Sequence, residues 1–195
     1  MSNYDRFRKE IFETKVYDKG IPDRSNLTVL DIGAHVGLFT EYIHPRADIV
    51  YAIEPYTPLF EQLKERIENL DLDKAVAYNV AIAKETGERI LNVNGGDGGS
   101  SFKYGGGGDT VTVQAYSLSD FMHNNSIKHI DVLKIDCEGS EHEIINSESF
   151  KEVADRIDHI VGEVHSAVEI ENALLKLGFA YEVHDNIFHA YRLHE

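Results

Sequence analysis

Cysteine is nearly absent from this chain of 195 residues, and a single Cys137 excludes a disulfide framework. Long apolar runs are also missing: none approaches the roughly 20 residues that a bilayer-spanning helix needs. Basic residues are few, with 19 Lys and Arg against 34 Asp and Glu, a formal net charge of −15. So acidic a surface repels phosphate and argues against nucleic acid as a partner unless a basic patch is segregated. The basic clusters available for that, Arg6-Arg8-Lys9 and Lys64-Arg66, are weak. There are no internal repeats and no same-sign tail. The opening Met1-Ser2-Asn3-Tyr4-Asp5-Arg6 is too polar for a signal peptide, which makes a reducing, cytoplasmic compartment the expectation and gives no reason to expect a membrane partner. What remains is 42% hydrophobic and 27% charged, the composition of a soluble globular protein with one core.

Apolar runs alternate with segments of helical period. Leu27 to Ile32 reads as a buried strand ending at Gly33, and Gly37 to Ile43 as a short helix stopped near Pro45. Asp48 to Ile53 is a second strand ended by Glu54-Pro55. Thr57 to Leu70 repeats Leu59, Phe60, Leu63, Ile67 and Leu70 at helical spacing. Val76 to Ala83 is a third strand candidate, Ile130 to Ile135 a fourth, and Ile157 to Val164 a fifth. A helix from Ala167 to Leu177 is stopped by Gly178. Phe179 to Leu193 reads as two strands around a turn at Asp185-Asn186. Strands alternating with helices predict right-handed crossovers and a doubly wound α/β domain of mainly parallel sheet, with an antiparallel C-terminal edge hairpin. Residues 1–26 are expected to form a short N-terminal helical segment (Tyr4 to about Lys15) and 27–195 the domain itself. Asn94 to Asp109 holds eight of the fifteen glycines. It reads either as a flexible surface loop or as a lid over a ligand, centred on Ser100, Ser101 and Phe102.

The most informative residues are Val29-Leu30-Asp31-Ile32-Gly33-Ala34-His35-Val36-Gly37. A strand running into glycines and then a helix places backbone N–H groups at the C-terminal edge of a sheet, where ligands bind. A dinucleotide site wants a glycine where His35 stands, so that backbone can approach a pyrophosphate. The pattern here is acid-x-Gly-x-x-x-Gly. An acid at Asp31 repels a diphosphate but suits a ligand carrying an ammonium group, as S-adenosylmethionine does. Glu54, 21 residues beyond Gly33, ends the next strand, where a carboxylate can accept hydrogen bonds from both ribose hydroxyls.

With these residues in place the chain resembles the class I S-adenosylmethionine-dependent methyltransferases, and within them the FkbM family. Four pieces carry the resemblance: Asp31 to Gly37; Tyr51-Ala52-Ile53-Glu54-Pro55; Asn79-Val80-Ala81-Ile82; and Leu133-Lys134-Ile135-Asp136-Cys137-Glu138-Gly139-Ser140-Glu141. The strand end Gly162-Glu163-Val164-His165 supports it. The family commonly has Asn where this chain has His35. The resemblance implies a Rossmann-like, seven-stranded sheet with a reversed final strand, and methyl transfer, usually to oxygen. It implies S-adenosylmethionine as cofactor and S-adenosylhomocysteine as product, held by Asp31, Gly33, Ala34, His35, Gly37, Glu54, Pro55, Asn79, Ala81 and Asp136.

Methyl transfer from a sulfonium is an in-line displacement that needs an aligned nucleophile and a proton acceptor. Asp136 and Glu138 follow the fourth strand, and Glu163 and His165 close the fifth, so parallel pairing would bring them together. In this scheme His165 is the expected general base, Asp136 orients the donor's ammonium end or the acceptor, and Glu138 accepts a hydrogen bond from the acceptor. Glu138 and Glu141 equally suit a helix N-terminus. Asp136, Glu138, Glu163 and His165 could also hold Mg²⁺ or Mn²⁺, but the resemblance requires no metal and none is expected. His184, His189 and His194 fit an edge hairpin better than a metal cluster. Cys137 is read as packing, its thiolate suppressed by neighbouring carboxylates. The expected acceptor is a small or saccharide-like hydroxyl compound. An RNA or protein methyltransferase, or a cofactor-binding module with weak catalysis, remains the alternative. Acceptor selection is expected from the Gly-rich segment, the N-terminal segment, or another subunit, whether a homo-oligomer or a partner.

Overall fold

The computed structural model describes residues 3–93, 100–101, 109–137, 139–164 and 167–193. The chain opens with α1 (Asn3–Lys9), which runs into a π-helical turn over Glu10–Thr14 and ends where Lys15 adopts a left-handed conformation, φ 55°. A short turn over Asp18–Gly20 leads to β1 (Leu27–Ile32), α2 (Leu38–Ile43), β2 (Ala47–Ile53) and α3 (Thr57–Asn69). Then follow β3 (Ala75–Tyr78), β4 (Ala81–Ala83), β5 (Gly87–Val93), β6 (Ser100–Ser101), β7 (Asp109–Ser117) and α4 (Leu118–Asn124). The last part holds β8 (Ile130–Ile135), α5 (Glu141–Ile145), α6 (Glu148–Val153), β9 (Ile157–Glu163), α7 (Ala167–Lys176), β10 (Phe179–His184) and β11 (Ile187–Arg192).

Seven strands form the main sheet in the order β10-β11-β9-β8-β1-β2-β3. The pairs β9–β8, β8–β1, β1–β2 and β2–β3 are parallel, and β11 alone runs against its neighbours. This is the doubly wound sheet expected, with its reversed final strand. The central strands are buried on both faces, β8 at every position, so they read in sequence as unbroken apolar runs. One face packs Leu30, Ile32, Leu133, Ile160 and Phe188 under the helices that carry Phe121, Ile144, Phe150 and Leu174. The other packs Leu27, Val29, Val50, Val132 and Val161 against Phe39 of α2 and against Tyr17 and Ile21 of the N-terminal segment. The C-terminal hairpin turns at Asp185 and Asn186, φ 49° and 65°, a two-residue turn whose left-handed pair suits the twist of the strands it joins.

The stretch Val76 to Ala83 is two strands rather than one. Asn79-Val80 break it, so that β3 closes the edge of the main sheet while β4 pairs parallel with β7 in a second, four-stranded sheet, β4-β7-β5-β6. In that sheet β5 and β7 pair antiparallel along seven positions, and Ser100–Ser101 pair with Asn92–Val93. Most of the Gly-rich segment 94–109 lies outside the described residues. Among the described residues, no helix is long and apolar enough to cross a membrane.

Candidate active site

Parallel strands pointing one way bring the ends of β1, β2, β8 and β9 to one edge of the sheet, and there a cavity of about 630 Å³ opens. Gly33, Ala34 and His35 line it after β1, Glu54 and Pro55 after β2, Lys134, Asp136 and Cys137 at the end of β8, and Glu163 at the end of β9. Ala81 and Ile82 of β4 and Leu59 of α3 form an apolar wall beside Glu54. The N-terminal segment supplies another wall through Arg6, Phe7, Glu10 and Tyr17, and the hairpin turn contributes Asp185 and Asn186.

The glycine turn is built for close approach. Gly33 has φ 76°, and a Cβ there would collide with the Asp136 carbonyl oxygen. Its N–H and that of Ala34 both donate to the Ile53 carbonyl, at 3.0 and 2.9 Å, so the turn is tied to the end of β2. Asp136 N–H donates to the Ile32 carbonyl at 3.1 Å and ties it equally to β8. His35 sits at φ 52°, a left-handed position that Asn, Asp and His tolerate better than most side chains. Its N–H donates to Glu54 Oε2 at 3.0 Å and its ring meets Phe7 edge-on at 6.3 Å. Burial, with Lys134 nearby, pushes the His35 imidazole below its ordinary pKa, so it is neutral at pH 7.

Glu54 is 5% exposed. Its second oxygen accepts from the Tyr56 N–H at 2.9 Å. Burial pushes its pKa up to about 7, against the opposing pull of those two backbone donors. Asn79 holds this loop from outside: its amide donates to the Glu54 and Pro55 carbonyls at 3.0 and 3.1 Å, and it does not line the cavity. Gly37 also faces away from the cavity. It starts α2 at φ 84°, and a Cβ there would lie 2.6 Å from Leu63 of α3.

Asp31 is placed differently from the sequence expectation. It is fully buried beneath the glycine turn, accepts from the Thr40 hydroxyl at 2.7 Å, and lies 3.2 Å from Lys134 Nζ as an ion pair. A carboxylate in that position neutralises Lys134 and does not line the cavity. Lys134 itself was not foreseen. It is 4% exposed inside the most buried strand, donates to the Gly33 carbonyl at 2.7 Å, and has Asp136 Oδ2 at 3.8 Å. Burial alone would lower its pKa; Asp31 and Asp136 overcome that and hold it above the ordinary lysine value. Tyr17 was missed as well: it is buried, packs edge-on to Phe39 at 5.3 Å, and its hydroxyl donates to Asp136 Oδ2 at 3.4 Å. Burial and the facing Asp136, Asp31 and Glu163 raise its phenol well above 10, so it remains a donor.

Asp136 and Glu163 follow the paired residues Ile135 and Gly162, so the two carboxylate positions stand side by side at the rim. Glu138 and His165 lie outside the described residues. Glu141 does not solvate its helix. It is fully buried, and its Oε1 accepts from the N–H groups of Cys137 and Gly139 at 2.8 and 3.1 Å, pinning the loop after β8. Burial, with Glu141 and Asp136 beside it, drives the Cys137 thiol well above its ordinary pKa and keeps it protonated. His189 is buried and pushed down to about 4, with the His184 ring 6.0 Å away; His194 is outside the described residues. Among the described residues, His129, Asp131 and Asp158 come within chelating distance of one another. They lie at the opposite, N-terminal ends of β8 and β9, where Arg24 is bonded to Asp131.

The fold is that of the Rossmann-like methyltransferases. The chain superimposes on the methyltransferase FkbM from Methylobacillus flagellatus KT with a TM-score of 0.65 at 11% identity, covering 95% of this chain and 48% of that one. It is similar to precorrin-6y C5,15-methyltransferase from Geobacter metallireducens GS-15, with TM-score 0.59, 12% identity, and 92% and 86% of the two chains covered. It is similar also to the magnesium protoporphyrin IX methyltransferase of Synechocystis PCC 6803 with bound SAM, with TM-score 0.58, 11% identity, and coverage of 97% and 80%. At these identities the likeness is one of fold. The chain spans about half the length of the Methylobacillus protein. No curated protein matches the sequence. The Methyltransferase FkbM domain family model matches residues 31–184, most of the chain, and the chain belongs to that family.

Proposed function

We propose that the protein is an S-adenosylmethionine-dependent methyltransferase that methylates a hydroxyl of a small or saccharide-like acceptor. The observation that carries this reading is Glu54, a buried carboxylate at the end of β2 whose oxygens are each held by one backbone N–H, beside a glycine turn that opens on the cavity. Each Glu54 oxygen keeps a lone pair for a ribose hydroxyl. Gly33, Ala34 and His35 present backbone close to the donor, and Pro55, Ala81, Leu59 and Ile82 offer an apolar slot for its base. Gly37 and Asn79 act indirectly, through the packing of α2 on α3 and the shape of the Glu54-Pro55 loop. Asp31 acts indirectly too, by neutralising Lys134. The magnesium protoporphyrin enzyme of the same fold was solved with SAM, which supports the choice of donor.

When bound, the donor supplies an electrophilic methyl group on a sulfonium. The chain must hold an acceptor oxygen in line with that methyl and take its proton. Asp136, at the end of β8 and bonded by Tyr17, is the group we assign to orienting the donor's ammonium end or the acceptor. His165 is assigned as general base and Glu138 as acceptor of a hydrogen bond from the acceptor molecule. The acidic balance of −15 argues against an RNA substrate. Turnover of S-adenosylmethionine against a panel of sugars, sugar derivatives and phenols, with wild type and Asp136→Asn, tests the reading. It predicts turnover with at least one hydroxyl acceptor, lost in Asp136→Asn while S-adenosylhomocysteine still binds. Binding without turnover across the panel would favour a cofactor-binding module instead.

A further inference from the structure

We propose that Lys134 is a positioning residue, whose buried ammonium holds the glycine turn after β1 and the Asp136 loop after β8 at one separation, with Asp31 as its fixed counter-charge. The inference rests on the methyltransferase reading above and adds to it a residue at the cavity wall that acts through the two loops it joins.

Three observations converge. The ammonium donates a hydrogen bond to the Gly33 carbonyl at 2.7 Å, and two carboxylates flank it as ion pairs, Asp31 Oδ1 at 3.2 Å and Asp136 Oδ2 at 3.8 Å. Gly33 and Asp136 belong to the two loops that flank the proposed transfer position, one after β1 and one after β8, and Asp31 lies within β1 itself. The same two loops already meet backbone to backbone, through Asp136 N–H on the Ile32 carbonyl and the Gly33 position that only glycine fits. Finally, a lysine inside a fully buried strand is costly unless paired, and here Asp31 supplies the counter-charge, itself fully buried with its other oxygen bonded by the Thr40 hydroxyl. The result is a continuous polar chain from Thr40 of α2 through Asp31, Lys134 and Asp136 to Tyr17 of the N-terminal segment. In-line transfer is sensitive to displacements of about 1 Å, and this chain fixes the distance between the turn that cradles the donor and the carboxylate at the acceptor side. Asp31 keeps the clamp from presenting a net positive charge to a cationic donor.

The test compares wild type, Asp31→Asn, Lys134→Met and the charge-neutral pair Asp31→Asn/Lys134→Met, all as the full chain, by thermal unfolding and by isothermal titration with S-adenosylhomocysteine. Lys134→Met alone is expected to unfold at a markedly lower temperature, because Asp31 is left buried without a cation. The pair is expected to regain most of that loss yet bind S-adenosylhomocysteine at least tenfold more weakly than wild type and more weakly than Asp31→Asn. In ¹⁵N-labelled wild type, the Lys134 ammonium signal should exchange slowly with water and shift when S-adenosylhomocysteine is added; a residue that merely fills the core would not respond. A pair that binds within twofold of wild type overturns the proposal, as does an ammonium signal unmoved by the ligand. A wild type that does not bind the ligand at all overturns the donor assignment and this proposal with it, which separates the two failures.

Discussion

Glu54 carries the clearest pH signature of the site. Its folded pKa of about 7 lies above the ordinary 4.5, so between those values the folded chain holds a proton that the unfolded chain has released. Stability from this group is therefore present below about pH 4.5 and is lost as pH rises through about 7. The shift corresponds to roughly 3 kcal/mol of strain from a buried charge at pH 8. Because Gln leaves one of the two backbone N–H groups without an acceptor at every pH, the test is the slope: the stability of Glu54→Gln relative to wild type should rise as pH goes from 5 to 8, and a difference independent of pH would contradict the burial argument. The same titration governs the donor. Ionised Glu54 accepts two ribose hydroxyls as charge-assisted hydrogen bonds, so S-adenosylhomocysteine affinity should fall as pH drops from 8 to 6. Titrations of Glu54→Gln over the same range should be nearly flat, and a wild-type affinity independent of pH would count against the role given to Glu54. At this scale the sequence is unevenly legible. Glu54 was legible because it ends a strand at a fixed distance from Gly33. Lys134 was not, because a lysine in an apolar run reads as a solvated side chain until its counter-charge on the neighbouring strand is seen. Tyr17 was hidden too, since its partner Asp136 lies 119 positions away.

At the scale of elements, the junction of β1, β2 and β8 holds the site together. Gly33 stands where three backbones cross, donating to Ile53 and lying against Asp136. Gly33→Ala would force a Cβ into the Asp136 carbonyl at a left-handed φ of 76°, so neither a rotamer change nor solvent can relieve it. The expected result is a loss of several kcal/mol in thermal or urea unfolding, or a folded protein with no measurable binding of S-adenosylhomocysteine; unchanged stability and binding would show that the turn is not as tight as described. The parallel strands were readable from sequence because burial on both faces leaves unbroken runs of Val, Ile and Leu. The hairpin was readable from Asp185-Asn186, which accept the left-handed pair the turn demands. The second sheet was not. Its β4 is three residues long and follows β3 after two residues, so the pair reads as one strand, and β5 and β7 are exposed on one face with Ile90 left in solvent.

The whole molecule explains why this edge of the sheet carries the chemistry. A doubly wound sheet gathers strand ends from distant parts of the chain, here residues 33, 54, 136 and 163, at one rim, and the reversed β11 carries the hairpin turn back to that rim beside β9. The N-terminal segment covers the cavity from the other side, and all of it lies before the span matched by the family model at 31–184. Acidity, which in composition argued only against nucleic acid, has a local meaning in the buried Asp31, Glu54 and Glu141, each bonded to backbone, hydroxyl or Lys134. The measurement that bears most directly on the account is isothermal titration of the full chain with S-adenosylhomocysteine at pH 8, wild type beside Glu54→Ala. The account predicts saturable one-to-one binding by wild type and a loss of about 1–3 kcal/mol in the variant. Absence of binding in wild type, or equal affinity in the two proteins, would contradict it.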